Sequence, residues 1–575
     1  MNNEPLILWF DQIELEHLPL VGGKNSSLGS MFQHLKPRGI NLADGFAITT
    51  AAYRKFLASN NLTEKIPAIL KDLNTREISD LQKRGRLVRQ LILQAHIPDQ
   101  LEQAVTAAYR QLGEKYQTTN TDTAVRSSAT AEDLPGASFA GQQETYLNVR
   151  GEKELLVAVK KCFASLFTDR AISYRVDKGF DQTSVALSVA VQKMVRSDLG
   201  ASGVAFSIDT ETGFNQVVVI DGIYGLGELI VQGAVTPDEF VVFKPTLATG
   251  FSAILNKNLG VKDRKMIYGQ TGTKIVKIAK VDQTKFCLSD SEIITLAKWC
   301  VEIEKYFSDK RGVYQPMDIE WAKDGQSQEL FIVQARPETV QARADKNVYH
   351  EYRLKQTATQ ILLRGVAVGT AIASGRGRVI KNPKRISDFK AGEILVTEIT
   401  DPDWEPIMKI AAAIVTDKGG RTSHAAIVSR ELGIPCIVGT GQATRRLKSG
   451  QEVTVDCSSG KSGLVYAGNL PFDKITHRLD QIPPIKTRVM VNIGSPDEAF
   501  KNHYLPVAGV GLGRLEFIIN SYIKIHPRAL LDYPQLKNSS EKSDRQLAEK
   551  IEGLTKEHDD KRLFYINELA EGVAK

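Results

Sequence analysis

The chain has 575 residues, of which 42% are hydrophobic and 25% charged, and its formal charge of +7 comes from 74 basic and 67 acidic residues. This composition is ordinary for a soluble globular protein, and a chain of this length is expected to form several domains. The slight basic excess includes no dense lysine block or arginine–aromatic stripe. It therefore argues against a nucleic-acid surface and favours mildly basic clefts for phosphorylated ligands.

The cysteines also limit the class of protein. There are five, they are scattered along the chain, and no two form a CxxC pair, which argues against a disulfide framework and for a reducing compartment. The first residues lack the basic and apolar regions of a signal peptide, and no segment approaches the roughly 20 apolar residues that span a bilayer. We expect a cytoplasmic protein without a membrane partner.

The N-terminal part mixes strand-like and helix-like segments up to about Val340, an α/β or α+β pattern. Residues 184–196 and 216–220 predict strands, and 289–307 predict a helix. Near the N-terminus, Lys24 follows Gly22 and Gly23 at an apparent helix start. The positive charge of lysine is unfavourable at the positive end of a helix dipole, and a bound anion would offset this repulsion. The alternative is a solvated lysine in a turn. The GxxxxGK[ST] pattern of a Walker loop is absent.

A second basic residue, Arg126, is followed by three hydroxyl residues in Arg126-Ser127-Ser128-Ala129-Thr130. It leads into a loop of small residues, 134–142, whose backbone N–H groups are of the kind that close over phosphates. On these residues alone, an ordinary surface loop remains the alternative.

Two neighbouring strand-like segments, 317–321 and 331–337, are separated by Lys323-Asp324-Gly325, which is suited to a turn. The strand period of two places Asp318 and Glu320 on one face, and Gln334 and Arg336 on one face of the next strand. Carboxylate and amide oxygens suit Mg²⁺, and an arginine forks onto phosphate. A salt-bridged sheet face is the alternative.

His424 has the most informative surroundings of the nine histidines. The apolar run 411–415 predicts a strand, Gly419 and Gly420 a tight turn, and Thr422 or Ser423 a helix cap. Gly433 and Pro435 then end the predicted helix. A phosphoryl group on His424 would be held by the positive end of that helix. The alternative is an ordinary capping or surface histidine.

Two polar stretches, 341–360 and 469–487, predict linkers on either side of a compact block at about 361–466. After the second stretch, 488–493 predict a strand, and the final residues 564–575 predict a helix.

Twelve stretches resemble the phosphoenolpyruvate-utilising enzyme family, in family order and along nearly the whole chain. They include VGGKNSSLGSM, AVRSSATAEDLPGASFAGQQETYLNV, SLFTDRAISYR, GLGELIVQGAVTPDEF, MDIEW, IVQARPETV, TDPDWEPIM, GGRTSHAAIVSRELGIPCIVG and GVGLGRLEF. The resemblance implies a multidomain α/β and α+β fold. Its expected parts are an ATP-grasp-type nucleotide domain at 1–345, a mobile β/β/α phosphohistidine domain at 361–468, and the start of a (β/α)₈ barrel binding phosphoenolpyruvate (PEP) and pyruvate at 487–575.

The implied reaction converts ATP, pyruvate and water into AMP, PEP and phosphate through a phosphohistidine at His424. The implied residue roles follow the motifs. Lys24 and Arg126 would hold the ATP phosphates. Glu320 and Gln334 would bind Mg²⁺ and ATP, with Asp318 and Arg336 beside them. Arg514 would bind PEP or pyruvate. Thr422 matches a threonine that a dedicated regulatory kinase and phosphorylase modifies in the family.

The sequence departs from the family pattern after residue 487. A (β/α)₈ barrel needs about 250 residues, so we expect an incomplete barrel without the family's other pyruvate-site residues. Three alternatives follow: an enzyme competent only for the ATP–histidine half-reaction, one subunit of a split enzyme whose partner completes the barrel, or a non-catalytic nucleotide-binding remnant.

Overall fold

A computed structural model describes residues 4–575 with gaps at 76, 131–143, 178–181, 183–184, 250–251, 339–347, 356–359, 422, 460–461, 484, 495–498, 500–501, 504, 520–522, 556–557 and 575. The chain divides into two compact units. The first comprises Met1–Ala344 and His350–Ile475, and the second Asp345–Tyr349 and Thr476–Lys575.

The first unit begins with a five-stranded sheet in the order β1-β2-β5-β3-β4. Its strands are β1 (Ile7–Trp9), β2 (Gly45–Ile48), β3 (Thr123–Ala129), β4 (Thr145–Val149) and β5 (Leu187–Lys193). The helices of this part are α1 (Leu18–His34), α2 (Thr50–Ser59), α3 (Leu62–Leu70), α4 (Ile78–Gln94), α5 (Asp99–Lys115), α6 (Glu152–Ser165) and α7 (Asp169–Asp177). The central strands β2 and β5 are buried along almost their whole length because helices and neighbouring chain cover both faces.

A six-stranded antiparallel sheet follows in the order β13-β12-β6-β7-β8-β9. The strands are β6 (Ala201–Phe206), β7 (Val217–Tyr224), β8 (Asp238–Phe243), β9 (Ile254–Asn258), the separate pair β10 (Arg264–Tyr268) and β11 (Thr273–Lys277), then β12 (Met317–Lys323) and β13 (Leu330–Pro337). The helices are α8 (Glu228–Val231), α9 (Lys280–Gln283) and α10 (Asp290–Arg311). The predicted helix is confirmed as α10, and the capping box of Ser289 and Glu292 explains where it begins.

The compact block predicted at about 361–466 forms a closed seven-stranded barrel in the order β15-β19-β18-β17-β16-β20-β21. The strands are β15 (Ile361–Val368), β16 (Ile372–Val379), β17 (Ile394–Thr397), β18 (Ala413–Thr416), β19 (Cys436–Val438), β20 (Glu452–Asp456) and β21 (Ser462–Ala467), with helices α11 (Glu405–Met408), α12 (His424–Leu432) and α13 (Ala443–Arg446). Alternate residues of β17 enter two different apolar cores, Ile394 and Val396 one and Leu395 the other, because successive strand residues face opposite sides.

The linker prediction was wrong for part of each polar stretch. Strand β14 (Val348–Leu354) lies in the first stretch and β22 (Phe472–Arg478) in the second, and the two strands pair. Tyr352 and Phe472 contribute a ring contact with centroids 6.2 Å apart, and Lys355 pairs with Asp473 at 2.7 Å. Most residues of β22 are exposed, so this ribbon lacks the buried apolar face that would have shown in the sequence.

The second unit contains a parallel pair of strands, β23 (Val491–Ile493) and β24 (Val510–Gly513). Its helices are α14 (Leu515–Ile518), α15 (Pro527–Leu531), α16 (Tyr533–Lys537), α17 (Lys542–Leu554) and α18 (Lys561–Ala574). The strand predicted at 488–493 forms only over its second half, 491–493, whereas the predicted C-terminal helix is confirmed. No helix among the described residues is long and apolar enough to cross a membrane. All five cysteines are free and buried.

Candidate active site

The hairpin of β12 and β13 brings together the four polar residues that the sequence placed on adjacent strands. Glu320 lies opposite Gln334, and Asp318 opposite Arg336. The Arg336 guanidinium donates from Nε to the Asp318 carboxylate at 2.8 Å. A register shift directly after Glu320 interrupts the pairing; such irregularities bend a strand and redirect its side chains.

Arg126 reaches this hairpin from β3 of the other sheet. Its Nη1 donates to the Glu320 carboxylate at 3.3 Å, and its Nε is buried without a hydrogen-bond partner among the described residues. A buried guanidinium N–H with no acceptor is costly unless a ligand supplies one. An anionic ligand beside Arg126 would therefore satisfy the site.

Lys24 is positioned by a break inside α1. Gly22 has φ +74° and ψ 170°, so it divides the helix in two just before Lys24. A Cβ at Gly22 would lie 2.4 Å from Ser128 Oγ, so both the backbone angle and the approach to β3 require glycine. The helix already begins at Leu18, so the predicted helix start at Gly22 is instead the start of its second segment.

One cavity of about 510 Å³ unites the residues from these elements. Of the residues predicted from sequence, those lining it are Lys24, Arg126, Glu320, Gln334, Arg336 and His424. Asp318 stands behind them and holds the Arg336 guanidinium. The structure therefore brings three cations, a carboxylate, an amide and a histidine to a single cavity.

His424 is the first residue of α12 and is only 7% exposed. The predicted strand before it is β18, and Gly433 ends the helix in the left-handed conformation, with φ +67°. Ser423 occupies the N-cap position, but its side chain accepts no capping hydrogen bond. Thr422, the other predicted cap and the predicted regulatory residue, lies outside the described residues.

The two ring nitrogens of His424 differ in their contacts. Nδ1 lies 3.0 Å from the hydroxyl of buried Thr400, whereas Nε2 has no hydrogen-bond partner among the residues described. In the tautomer that donates from Nδ1 to Thr400, Nε2 carries a free lone pair. Burial, followed by the charge of Arg170, lowers the pKa of His424 from 6.5 to about 3. The imidazole is therefore neutral and nucleophilic at physiological pH.

Comparison with known proteins agrees with this geometry. The family model for the pyruvate phosphate dikinase AMP/ATP-binding domain matches residues 18–356, and that for the mobile domain of PEP-utilising enzymes matches residues 389–460. The phosphoenolpyruvate synthase of Aquifex aeolicus is 53% identical, with 100% of this chain and 72% of the relative covered. The chain belongs to the phosphoenolpyruvate synthase family.

Other members of the phosphoenolpyruvate synthase family show the same breadth of similarity. The relative from Escherichia coli is 48% identical over 100% of this chain and 71% of its own length. The relative from Aeropyrum pernix is 38% identical over 99% and 70%, respectively. The NMR solution structure of an Enzyme I protein is 35% identical over 14% of this chain and 33% of that one, with a TM-score of 0.13. The family models and the curated relatives show that the chain is a phosphotransferase of mixed α/β architecture, with ATP as a substrate.

The carboxylate and amide oxygens at the hairpin are donors of the kind that Mg²⁺ accepts. Glu320 and Gln334 lie side by side and both line the cavity. Within the described ranges, no three His, Cys, Asp or Glu side chains form a metal cage of their own. Mg²⁺ is commonly bound through one or two carboxylates with the remaining ligands from substrate phosphates and water. This donor set therefore suits a metal that arrives with ATP.

Arg170, Glu228 and Thr400 are among the residues of the site that were not predicted from the sequence. Arg170 and Glu228 line the cavity, and Thr400 contacts the histidine. Burial raises the pKa of the Glu228 carboxyl, and the charge of Arg126 opposes that shift. All three occur in stretches that carry the family resemblance, which was the available signal; no local spacing pattern distinguishes them.

Arg514, the predicted substrate residue, lies in the second unit and is exposed. It is the residue before α14, and its backbone N–H donates to the carbonyl of Ile493 at 2.9 Å. This hydrogen bond ties the end of β24 to β23, so Arg514 follows the end of a parallel strand pair. Its role in binding stays a prediction.

Replacing Thr400 by valine is expected to slow phosphorylation of His424 by roughly 10- to 100-fold, because the buried Nδ1–H loses its acceptor and the ring its orientation. Valine keeps the shape of threonine. Rapid-quench measurement of AMP formation tests this. Thr397→Val is a matched control: Thr397 is 1% exposed, as is Thr400, and its hydroxyl donates to the carbonyl of Ile399 at 3.4 Å. Equal rates in the two variants would contradict the role of Thr400.

The buried histidine also makes stability depend on pH. Exposed histidine takes up a proton below its ordinary pKa of 6.5, whereas buried His424 does so only near 3. The contribution of neutral His424 to the free energy of unfolding is therefore complete above pH 6.5 and decreases as the pH falls below this value. Relative to His424→Gln, we expect the wild type to lose about 1.4 kcal/mol of unfolding free energy between about pH 7.5 and about pH 5.5. Denaturant titrations that change in parallel for both proteins would contradict this.

Proposed function

We propose that His424 accepts phosphate from ATP in this cavity and carries it toward pyruvate, in the overall reaction of ATP, pyruvate and water to AMP, PEP and phosphate. One observation carries the proposal. The neutral Nε2 of His424 has no hydrogen-bond partner among the described residues, and the histidine lines the same cavity as the cations Lys24, Arg126 and Arg336.

The transfer from ATP follows from this arrangement. Nε2 attacks the β-phosphorus, the bond between that phosphorus and the α–β bridging oxygen breaks, and AMP leaves with the electron pair. Water then attacks the terminal phosphorus of the pyrophosphorylated histidine and releases phosphate. The β-phosphate stays on His424 for transfer to pyruvate. A covalent relay of this kind replaces one difficult transfer by easier steps.

The cavity residues have separate proposed roles in this step. Lys24, Arg126 and Arg336 bind the phosphate oxygens and stabilise the charge that develops during transfer. Glu320 and Gln334 would hold Mg²⁺, which would further neutralise the phosphate charge. Asp318 fixes the Arg336 fork in place through its ion pair.

The proposed domains are an ATP-grasp-type nucleotide domain at 1–345, a mobile β/β/α phosphohistidine domain at 361–468, and the first part of a PEP/pyruvate (β/α)₈ barrel at 487–575. One histidine that serves two sites requires its domain to move. The ribbon of β14 and β22 contains both connections of the seven-stranded barrel, so we place the hinge there.

The second unit supports the barrel assignment through its parallel strands, with Arg514 as the proposed substrate residue. Val510 and Leu512 of β24 and Val489 beside β23 are each more than half exposed, as expected of a barrel sheet that further strands would cover. These strands would come from the same polypeptide or from a partner subunit. Among the described residues, those proposed for the ATP–histidine half-reaction lie in the first unit and Arg514 lies in the second; nucleotide binding without catalysis is the remaining alternative.

Two further parts of the proposal rest on family resemblance and thiol chemistry. Thr422 would be the target of a regulatory kinase and phosphorylase, since it lies two residues from His424 in the sequence. The five free thiols suit a reducing compartment such as the cytoplasm.

An AMP-release assay tests the proposed function. With Mg²⁺ and ATP but no pyruvate, the protein is expected to release about one equivalent of AMP and then stop. Adding pyruvate restarts AMP release only where the barrel is complete, so a continued arrest identifies the half-reaction enzyme. Absence of any AMP burst would contradict phosphoryl transfer and leave the nucleotide-binding alternative.

A further inference from the structure

A buried ion pair joins the helix of His424 to the six-stranded sheet. Arg430, on the last turn of α12, donates from Nε to the Glu211 carboxylate at 2.7 Å, and its Nη2 contacts the same oxygen. The side chains are only 9% and 10% exposed. Glu211 lies in the β6–β7 connection, where Asp209 accepts hydrogen bonds from the N–H groups of Glu211 and Thr212. The carboxylate is therefore held by a preformed turn.

Each partner also contacts backbone of the phosphohistidine domain. Glu211 Oε2 accepts from the N–H of Gly369, after β15, at 3.2 Å. Arg430 Nη2 donates to the carbonyl of Arg421 at 2.6 Å, three residues before His424. The ion pair therefore reaches the segment that carries the reactive histidine and does not merely bind the far end of its helix.

The charges at this contact favour the paired state. Burial alone would raise the pKa of Glu211, but the positive charges of Arg430 and Arg421 lower it below its ordinary value. Glu211 is thus an ionised carboxylate held between arginines. A buried charge of this kind becomes very unfavourable when its partner is removed.

The same surfaces meet closely beside the histidine. Gly233, after α8, has φ +65°, and a Cβ there would lie 2.2 Å from Ser423 Cβ. The N-cap of α12 therefore sits directly against the backbone of the nucleotide-binding part. Through Arg421 and Ser423, the ion pair and this close approach both act on the segment directly before His424.

We propose that Glu211 and Arg430 are positioning residues that latch the phosphohistidine domain at the ATP cavity and so set the rate at which His424 is phosphorylated. This inference rests on the proposed function and adds a docking device to it. Neither residue lines the cavity, so the latch acts on the placement of His424 and not on ATP affinity.

The Glu211–Arg430 ion pair is also suited to a phosphohistidine domain that must leave the ATP cavity after each transfer. An ion pair dissociates without leaving an apolar surface, because both ions regain water once they separate. Its net contribution to docking is therefore small enough for reversible release, whereas loss of one partner penalises the docked state strongly. This asymmetry makes the pair suited to repeated docking.

A double-mutant cycle tests the latch with Glu211→Gln, Arg430→Gln and the double variant. The readout is the single-turnover rate at which label from β-labelled ATP appears on His424 at saturating Mg²⁺–ATP. We expect each single variant to be slower by roughly 10-fold and the double variant to be much faster than the product of the two effects predicts. We expect calorimetry to give the wild-type ATP affinity for the two single variants and the double variant. An unchanged affinity would also show that the ATP cavity of each variant is folded.

The control is Glu304→Gln, which breaks the Lys244–Glu304 pair. That pair has similar burial, 10% and 12% exposed side chains, and its hydrogen bonds to described residues lie within the nucleotide-binding part, so a wild-type rate is expected. Wild-type rates in the Glu211 and Arg430 variants, or strictly multiplicative effects, would overturn the latch while leaving the proposed function intact. A wild type that acquires no label would overturn both.

Discussion

His424→Asn is expected to abolish phosphoenzyme formation and to lower overall turnover by roughly 10⁴-fold or more, the scale seen when a covalent nucleophile is removed. Asparagine keeps a polar group within reach of the Thr400 hydroxyl, so the buried pocket stays largely satisfied. It has no nucleophilic nitrogen at the position of Nε2. Rapid-quench assays of AMP release and of acid-labile protein phosphate measure the effect.

The control for this variant is His96→Asn. The imidazole of His96 is 75% exposed and makes only a 3.5 Å contact with Asp99, so its replacement should leave the rate unchanged. AMP release by His424→Asn at the wild-type rate would show that phosphate reaches its acceptor without this histidine.

Arg126→Met is the second large change, with an expected loss of about 10²- to 10³-fold in kcat/KM for ATP. Arg126 contacts Glu320, and its charge also opposes the raised pKa of Glu228. The variant therefore leaves Glu320 and Glu228 at the proposed phosphate site without the positive charge of Arg126. Methionine retains the length of the side chain, so packing along β3 is largely preserved.

Arg126→Lys separates charge from geometry. Lysine retains a cation but not the planar fork that grips phosphate oxygens, so an intermediate activity is expected. Arg110→Met, which removes an exposed pair with Glu152, is the matched arginine control. Arg126→Met with wild-type kcat/KM would exclude Arg126 from the phosphate site.

The hairpin of the site could be predicted from the sequence because its information is local. Residues two apart on a strand share a face, and a three-residue turn signal lies between the segments, so Glu320 and Gln334 were correctly placed on neighbouring strands. The strand, turn and helix around His424 could equally be predicted from the sequence, since glycines lie at both ends of the short helix. In both cases one stretch of chain contains the whole pattern.

Other features depend on distant parts of the chain and left no local pattern. Thr400 and Arg170 meet His424 only after the barrel strands and α7 are packed. The β14–β22 ribbon pairs segments more than 100 residues apart in the sequence, and its exposed faces lack apolar alternation. The first segment of α1, from Leu18 to the break at Gly22, was likewise not visible in the sequence. Tertiary contacts determine all of these.

Label mapping tests the central claim, phosphate carriage by His424, most directly. The protein is incubated with Mg²⁺ and ATP labelled at either the β- or the γ-phosphate, then digested under alkaline conditions that preserve phosphohistidine. We expect β-label to remain on the peptide containing His424 while γ-label is released as inorganic phosphate. Retention of β-label on another residue, or its absence from the protein, would contradict it.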